Sequence, residues 1–227
     1  MTKLHNAKYR FGFTGTLDGS KTHKWVLEGL FGECEQVTKT DDLIKEGYLS
    51  KFRIKVLLCK HAPQHFESYH DEMEYLVEHK GRNNLIKNLV NDLEGNTLVL
   101  FNYVEKHGEP LYELINNTID PERKLFFVHG ATEVEDREEV RQITEIESNA
   151  IIVASYGTFS TGINIKRLHN IVFASPSKSR IRNLQSIGRV LRKGEGKDIA
   201  TLYDIADDIG GQNYTSVSYT HLTLPTT

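Results

Sequence analysis

Short apolar runs alternate with amphipathic stretches along the chain between about Arg82 and Tyr203. Each run is four or five residues long and consists mainly of valine, isoleucine, leucine, phenylalanine and alanine. Strands that are buried on both faces have this pattern, because helices cover both sides of a parallel sheet. The predicted strands are Leu98–Phe101, Leu125–Val128, Ala150–Ala154, Ile171–Ala174 and Ile199–Tyr203.

The segments between these runs predict helices. Thr132 and Glu135 have the spacing of a capping box, which would begin a helix over EDREEVRQITEI. Pro110 suits the first turn of another helix, because an apolar stripe follows it. Strand–helix alternation of this kind predicts a doubly wound α/β domain, whose binding loops lie at the carboxyl ends of its strands.

The first part of the chain has a different pattern. Tyr9–Phe13 predicts a strand and Trp25–Phe31 predicts a short helix. Phe52–Cys59 alternates apolar and polar residues, which is typical of a half-exposed strand. Glu67–Val77 and Asn83–Leu93 are expected to be helical. This part has too few strands to form a sheet of its own, so we interpret it as the end of one domain followed by a connector.

The composition is that of a globular protein, since 38% of the 227 residues are hydrophobic and 26% are charged. The formal net charge is −3, so a nucleic-acid-binding surface would have to be a local patch. No apolar run approaches the roughly 18 residues of a membrane span, and the N-terminus lacks the apolar core of a signal peptide. We therefore expect a protein of the bacterial cytoplasm that does not contact membranes.

The cysteines and histidines do not predict a metal site. Cys34 and Cys59 are too far apart for a C-x-x-C pair, and the ten histidines form no H-E-x-x-H pair. We expect both cysteines to be free thiols.

A basic helix face is the most informative feature of the chain. On a helix that turns about 100° per residue, four polar positions of QSIGRVLR share one face and the apolar positions share the other. Two guanidinium groups on one face can bind a polyphosphate. The spacing also allows an alternative, in which this face is a basic surface exposed to solvent. The polar positions are Gln185, Gly188, Arg189 and Arg192, and the apolar ones are Leu184, Ile187, Val190 and Leu191.

The arginine segment, Q-x-x-G-R-x-x-R, resembles motif VI of superfamily 2 helicases. Four further segments resemble other motifs of this family and precede it in the family's order. Phe13–Thr16 is similar to motif III and Leu98–Asn102 to motif IV. His129–Gly130 is similar to a segment that holds the nucleic-acid backbone, and Ser155–Asn164 to motif V. The stretches IIVASYG-x-FSTGI and IGRVLRK are most similar to repair and recombination helicases of tailed bacteriophages.

The resemblance implies roles for individual residues at a nucleotide site. In the family, two RecA-like domains close over ATP and Mg²⁺. Arg189 and Arg192 are then expected to be catalytic and to reach the γ-phosphate, while Gln185 orders the motif. The implied ATP-binding residues are Gly162, Asn164 and Gly188.

The resemblance also implies a nucleic-acid site that is coupled to nucleotide binding. The coupling residues of motif III are Thr14, Gly15 and Thr16. The expected partner is single-stranded or branched DNA bound by a monomer, with RNA as an alternative. The residues expected to hold the backbone are Asn102, His129, Gly130, Ser155, Thr158 and Thr161.

The resemblance predicts an α/β fold: a RecA-like doubly wound parallel sheet with a remnant of a preceding RecA-like domain. Residues 1–45 are expected to be this remnant, 46–80 a connector and 81–212 the second RecA-like domain. Residues 213–227 are expected to be a disordered or artefactual tail, because Ser216–Thr227 is similar to a translated sequencing adapter.

The chain contains no G-x-x-x-x-G-K-[ST] loop and no D-E-x-[HD] box before Thr14. ATP and Mg²⁺ are therefore expected to bind mainly to a first motor domain, and the chain is not expected to hydrolyse ATP alone. We predict the C-terminal fragment of an ATP-dependent superfamily 2 DNA helicase or translocase of repair or recombination. The alternatives are a catalytically inactive nucleic-acid or partner-binding module and the motor part of a restriction-enzyme translocase.

Overall fold

A computed structural model of the chain describes residues 7–14, 21–161, 165–177, 179–210 and 214. Its centre is a six-stranded sheet in which every neighbouring pair is parallel, in the order β1-β6-β5-β2-β4-β3. The strands are β1 (Lys51–Lys60), β2 (Thr97–Phe101), β3 (Leu125–Val128), β4 (Ile151–Ser155), β5 (Asn170–Phe173) and β6 (Ile199–Asp208).

Helices connect these strands, as the alternating pattern predicts. A π-helical segment, Val104–Gly108, lies between β2 and the helix that follows it. Pro110 lies in the first turn of that helix, as predicted. The helices are α1 (Lys21–Phe31), α2 (Thr40–Lys45), α3 (Tyr69–Glu78), α4 (Lys80–Asp92), α5 (Glu109–Asn116), α6 (Val134–Ile146), α7 (Tyr156–Thr161) and α8 (Arg180–Val190).

The sheet has a hydrophobic core on each face, which explains why its central strands are apolar throughout. Leu98 and Leu100 of β2 face a core that includes residues of α7 and α8. Val99 and Phe101 face the opposite core, which includes residues of α4 and α5. All five residues of β2 are buried. The predicted α/β class and the five predicted strands are confirmed: the ends of four of them agree to within one residue, and the last strand is five residues longer than predicted.

The strand predicted within the connector, β1, belongs to this sheet. It pairs in parallel with β6 over its whole length, from Lys51 opposite Ile199 to Lys60 opposite Asp208. Exposed and half-buried side chains alternate along most of β1, as expected for an edge strand.

Two local predictions are wrong. Residues 7–14 contain no strand, although Tyr9–Phe13 predicts one. The capping box of Thr132 and Glu135 does not form, because α6 begins at Val134 after Glu133, which makes no side-chain cap. The hydroxyl of Thr132 instead accepts the backbone N–H of His129 at 3.0 Å. A local turn therefore competes successfully for the capping side chain.

Large apolar side chains are exposed in the N-terminal part of the chain. Phe13 is 95% exposed and Trp25 is 67% exposed, although both residue types are usually buried. Tyr9, Phe11 and Val37 are also exposed. The N-terminal segment therefore exposes apolar side chains of the kind that are normally found in a domain interior.

Strand β6 is longer than predicted and carries buried carboxylates. The sequence predicts that Asp204, Asp207 and Asp208 follow the last strand as surface or capping residues, but all three lie within β6. Asp204 and Asp207 are buried. Asp207 is paired: Nε of Arg82 donates to its two oxygens at 2.9 and 3.1 Å, and Nε2 of His61 lies 2.8 Å from Oδ1.

The second buried carboxyl, that of Asp204, is less well compensated. Its Oδ2 is buried and has no hydrogen-bond partner among the described residues. Burial, and then the neighbouring Asp207, raises the pKa of Asp204 from 3.8 to about 6. The folded protein therefore retains the proton of the Asp204 carboxyl at pH values where the unfolded chain releases it. As a result, the free energy of unfolding decreases as pH rises from about 4 to 6.

We expect Asp204→Asn to relieve a destabilisation that depends on pH. From the two pKa values, the raised pKa costs about 3 kcal/mol of stability at pH 8, where the buried carboxyl is ionised, and roughly half of that at pH 5, where the folded protein retains the proton. Urea unfolding of both proteins at the two pH values measures this difference. A difference between wild type and Asp204→Asn that is the same at pH 5 and pH 8 would contradict the assignment.

Candidate functional site

Three predicted nucleic-acid-binding residues lie at one edge of the sheet. Asn102 follows β2, Ser155 ends β4 and His129 follows β3, and these three strands are neighbours in the order β2-β4-β3. The carboxyl ends of parallel strands meet at the same edge, so the fold brings together residues that are 53 positions apart, such as Asn102 and Ser155.

Asn102 is held from both its backbone and its side chain. Its N–H donates to Oγ of Ser175 at 3.0 Å, and its Nδ2 donates to the carbonyl oxygen of Pro176 at 3.0 Å. Its Oδ1 lies 3.5 Å from Nη1 of Arg182, which is exposed. An amide and a guanidinium group at this edge can bind phosphate oxygens of a nucleic-acid backbone.

Ser155 and Thr158 stabilise the start of the helix that follows β4. The motif V segment is predicted as a loop, but it begins with helix α7 directly after β4. The Ser155 hydroxyl lies 2.8 Å from Oγ1 of Thr158 and accepts the Thr158 N–H at 3.3 Å, as an N-terminal cap. Thr158 is buried, so its hydroxyl serves the helix start.

His129 and Gly130 form a turn at the end of β3. The His129 ring packs against Phe127, with ring centroids 5.3 Å apart. Gly130 is exposed, and a Cβ added there would meet nothing within 4 Å. This open backbone allows a strand of nucleic acid to approach closely.

Helix α8 presents the predicted arginine face. It begins after Ser179, whose hydroxyl accepts the Arg182 N–H. The predicted apolar positions Ile187, Val190 and Leu191 are buried. The predicted polar positions Gln185, Gly188 and Arg192 are exposed, and Arg189 is half-buried.

The two arginines are in different environments. Arg189 donates from Nη1 to the carbonyl oxygen of Phe159 in α7, and its guanidinium lies 5.5 Å from the centroid of the Phe159 ring. Burial, and then the charge of Arg192, lowers the pKa of Arg189. Motif VI is thus joined to motif V by Arg189, while Arg192 projects from the end of the helix.

A buried lysine, which the sequence does not single out, anchors the C-terminal end of α8. Nζ of Lys197 donates to the carbonyl oxygens of Val190, of Arg192 at 2.9 Å and of Lys166 at 3.2 Å. Its side chain is buried, and burial lowers its pKa to about 8. Lys197 therefore fixes the arginine helix relative to the segment that follows motif V.

Other predicted site residues lie outside the described residues. These are Gly15, Thr16, Gly162 and Asn164, together with the side chain of Thr161. Thr14 is described and exposed.

Potential metal-ligating atoms of Cys59, His61 and Asp207 lie within 4.8 Å of one another. The Arg82 guanidinium already pairs with Asp207, and Nδ1 of His61 lies 3.4 Å from the Tyr75 hydroxyl. Asp207 and His61 therefore already have polar partners, and a metal ion there would be repelled by the Arg82 guanidinium. We interpret the cluster as a structural network.

Comparison with known proteins identifies the family. Residues 81–194, which are 114 of the 227 residues, match the model of the helicase conserved C-terminal domain. The chain belongs to this helicase C-terminal domain family. The predicted superfamily resemblance and the RecA-like fold are therefore confirmed.

A phage helicase is a relative of this helicase C-terminal domain protein. The ATP-dependent DNA helicase uvsW of Enterobacteria phage T4 is 35% identical over 216 residues, which cover 91% of this chain and 42% of the relative. The chain thus spans about two fifths of the length of that relative. The crystal structure of T4 UvsW matches with a TM-score of 0.60 and 34% identity, over 86% of this chain and 39% of that structure.

A more distant structure has the same fold. The ATP-dependent Type ISP restriction-modification enzyme LlaBIII, solved bound to DNA, matches with a TM-score of 0.56 at 18% identity. The match covers 86% of this chain and 15% of that enzyme. No helix within the described ranges is long and apolar enough to span a membrane.

Proposed function

We propose that this chain is the C-terminal motor half of an ATP-dependent DNA helicase or translocase that acts in repair or recombination. The family match over residues 81–194 carries the proposal, and the phage T4 relative is itself an ATP-dependent DNA helicase. In this proposal the chain supplies the arginine face of α8 and the surface that holds the nucleic-acid backbone.

The exposed apolar residues near the N-terminus support a missing first motor domain. Phe13 and Trp25 are residue types that a domain normally buries, and contiguous exposed apolar surface marks an interface. We propose that residues 1–45 complete a preceding RecA-like domain, with Thr14, Gly15 and Thr16 coupling it to nucleic-acid binding. The phosphate loop and the Mg²⁺ carboxylate would then lie in that domain.

The exposed face of α8 fits a polyphosphate. Gly188 is open, because an added Cβ would meet nothing within 4 Å, and Arg192 is exposed just after the end of the helix. In this proposal ATP with Mg²⁺ supplies phosphoryl-transfer chemistry when bound by the first domain. Arg192 and Arg189 compensate negative charge on the terminal phosphate, Gln185 orders them, and Gly162, Asn164 and Gly188 line the nucleotide.

The nucleic-acid surface comprises the ends of β2, β3 and β4. Asn102 and Arg182 offer donors for one phosphate group, and the His129–Gly130 turn, two strands away, leaves its backbone accessible. In this proposal Ser155 and Thr158 contribute at the start of α7, and Thr161 contributes at its end. The partner is DNA, single-stranded or branched, and the chain acts as a monomer in the cytoplasm.

Asn102→Ala is expected to weaken binding of the chain to single-stranded DNA by about tenfold or more. A hydrogen bond to a charged phosphate contributes roughly 1.5–3 kcal/mol, and the variant removes the Asn102 amide. Fluorescence anisotropy with a labelled oligothymidylate at fixed low salt measures the Kd. Asn117→Ala is the matched control, since Asn117 is exposed at the end of α5, which returns the chain to the opposite sheet edge.

Two outcomes decide the proposal. Binding that weakens as salt increases, and that Asn102→Ala but not Asn117→Ala impairs, supports a backbone-binding surface. Unchanged affinity in Asn102→Ala would contradict the assigned surface and favour the partner-binding alternative.

A further inference from the structure

A buried histidine lies beneath the proposed DNA-binding residue Asn102. His107 is in the π-helical segment that follows β2, and its side chain is inaccessible to solvent. Its Nδ1 lies 2.8 Å from Oγ of Ser175, and its Nε2 lies 3.2 Å from Oδ1 of Asn83. Ser175 in turn contacts the backbone of Asn102.

The partners of these side chains determine which atom donates and which accepts in each hydrogen bond from Asn83 to Asn102. Nδ2 of Asn83 donates to the carbonyl oxygen of Val77 at 2.8 Å, so Oδ1 of Asn83 is the acceptor that faces His107. Nε2 of His107 therefore carries the proton, and Nδ1 accepts the hydroxyl proton of Ser175. The Ser175 oxygen is left to accept the N–H of Asn102 at 3.0 Å.

This arrangement requires a neutral imidazole. Burial, and then the charge of Arg82, lowers the pKa of His107 to about 3. The ring is therefore neutral at physiological pH, with one donor nitrogen and one acceptor nitrogen, and both have partners.

The π-helical segment places His107 close to the sheet because of a glycine. A Cβ on Gly108 would lie 2.5 Å from the ring of Phe101, the last residue of β2. Only glycine at this position allows the segment to pack so tightly under the strand end. Single π-helical turns are rare and are frequent at functional sites.

The loop that carries Ser175 is fixed from other directions as well. The carbonyl oxygen of Ala174 accepts from Nη1 of Arg82 at 2.5 Å, and that of Ser175 accepts from the Tyr156 hydroxyl at 3.3 Å. The loop therefore connects α4, the π-helical segment and the start of motif V. A side chain that holds this loop can determine where Asn102 points.

We propose that His107, acting through the Ser175 hydroxyl, is a positioning residue that orients Asn102 for binding the phosphate backbone of single-stranded DNA. This inference rests on the proposed function, because it assumes that Asn102 contacts the nucleic acid. His107 itself is buried and does not touch the DNA.

The test measures the Kd for labelled oligothymidylate with His107→Leu, His107→Gln and Ser175→Ala. His107→Leu and Ser175→Ala are expected to weaken binding by about threefold to tenfold, the effect of one lost buried hydrogen bond. His107→Gln retains one donor and one acceptor, so we expect it to restore most of the affinity. In an Asn102→Ala background, His107→Leu is expected to have no further effect.

A destabilised control separates positioning from general loss of stability. Leu168→Ala removes buried volume from the core on the other face of the sheet, which includes residues of α7 and α8, and is expected to lower the melting temperature without changing the Kd. Circular dichroism verifies that each variant is folded at the assay temperature.

The outcomes distinguish a failure of the proposed function from a failure of the positioning role of His107. Unchanged affinity in Asn102→Ala would remove the proposed function and this inference with it. Impaired binding in Asn102→Ala, with wild-type affinity in folded Ser175→Ala, would overturn the inference alone. Equal losses from His107→Leu with and without Asn102 would also overturn it.

Discussion

Replacing Arg82 with methionine is expected to lower the free energy of unfolding by about 3–5 kcal/mol. Arg82 and Asp207 are an ion pair with side chains that are 0% and 1% exposed. The substitution leaves the Asp207 carboxylate buried without its main partner, and it also removes the donor to the carbonyl oxygen of Ala174. Urea unfolding at pH 7.5 measures the change.

Arg141→Met provides a matched control. Arg141 pairs with Glu138 on the exposed surface of α6, where the ion pair is solvated and contributes little. The double variant Arg82→Met/Asp207→Leu is expected to be more stable than Arg82→Met, because it removes the uncompensated charge. Equal effects of Arg82→Met and Arg141→Met would contradict a structural role for the buried pair.

Arg192→Ala is expected to reduce ATP turnover by a factor on the order of 10³–10⁵ in a protein that contains both motor domains. Arg192 is exposed two residues after the end of α8, and its backbone carbonyl oxygen accepts a hydrogen bond from Lys197. The backbone that carries the guanidinium is therefore fixed relative to the helix. DNA-stimulated phosphate release at saturating ATP measures kcat.

Lys193→Ala is the control for this substitution, because Lys193 is the adjacent exposed cation and has a surface contact with the Gly47 carbonyl oxygen. We expect Lys193→Ala to retain most of the activity. We also expect Arg192→Lys to remain impaired, because a lysine cannot provide the planar, two-pronged contact of a guanidinium. Full activity in Arg192→Ala would exclude the arginine-finger role.

The sheet is predictable from sequence because its central strands are buried on both faces. Leu98–Phe101 and Ala150–Ala154 are apolar throughout and buried, and a run of that kind has few alternatives to a central parallel strand. The apolar and polar faces of α8 are likewise predictable, since helical spacing alone separates Ile187 and Val190 from Gln185 and Arg192.

Long-range polar contacts are what the sequence pattern does not reveal. The charge of Asp207 suggests a surface residue until Arg82, 125 positions away, is known to lie against it. His107 is a lone histidine with no motif, and its partners Asn83 and Ser175 come from distant segments. Such contacts depend on the three-dimensional arrangement of strands, which local periodicity does not specify.

The central claim, that this chain is one half of a two-domain motor, is tested most directly by measuring ATP hydrolysis with single-stranded DNA. The 227-residue chain is compared with a version that is extended upstream through a complete reading frame. We expect DNA-stimulated activity only in the extended protein and its loss in Arg192→Ala. Robust hydrolysis by the 227-residue chain alone would contradict the claim, since the nucleotide would then bind without a first motor domain.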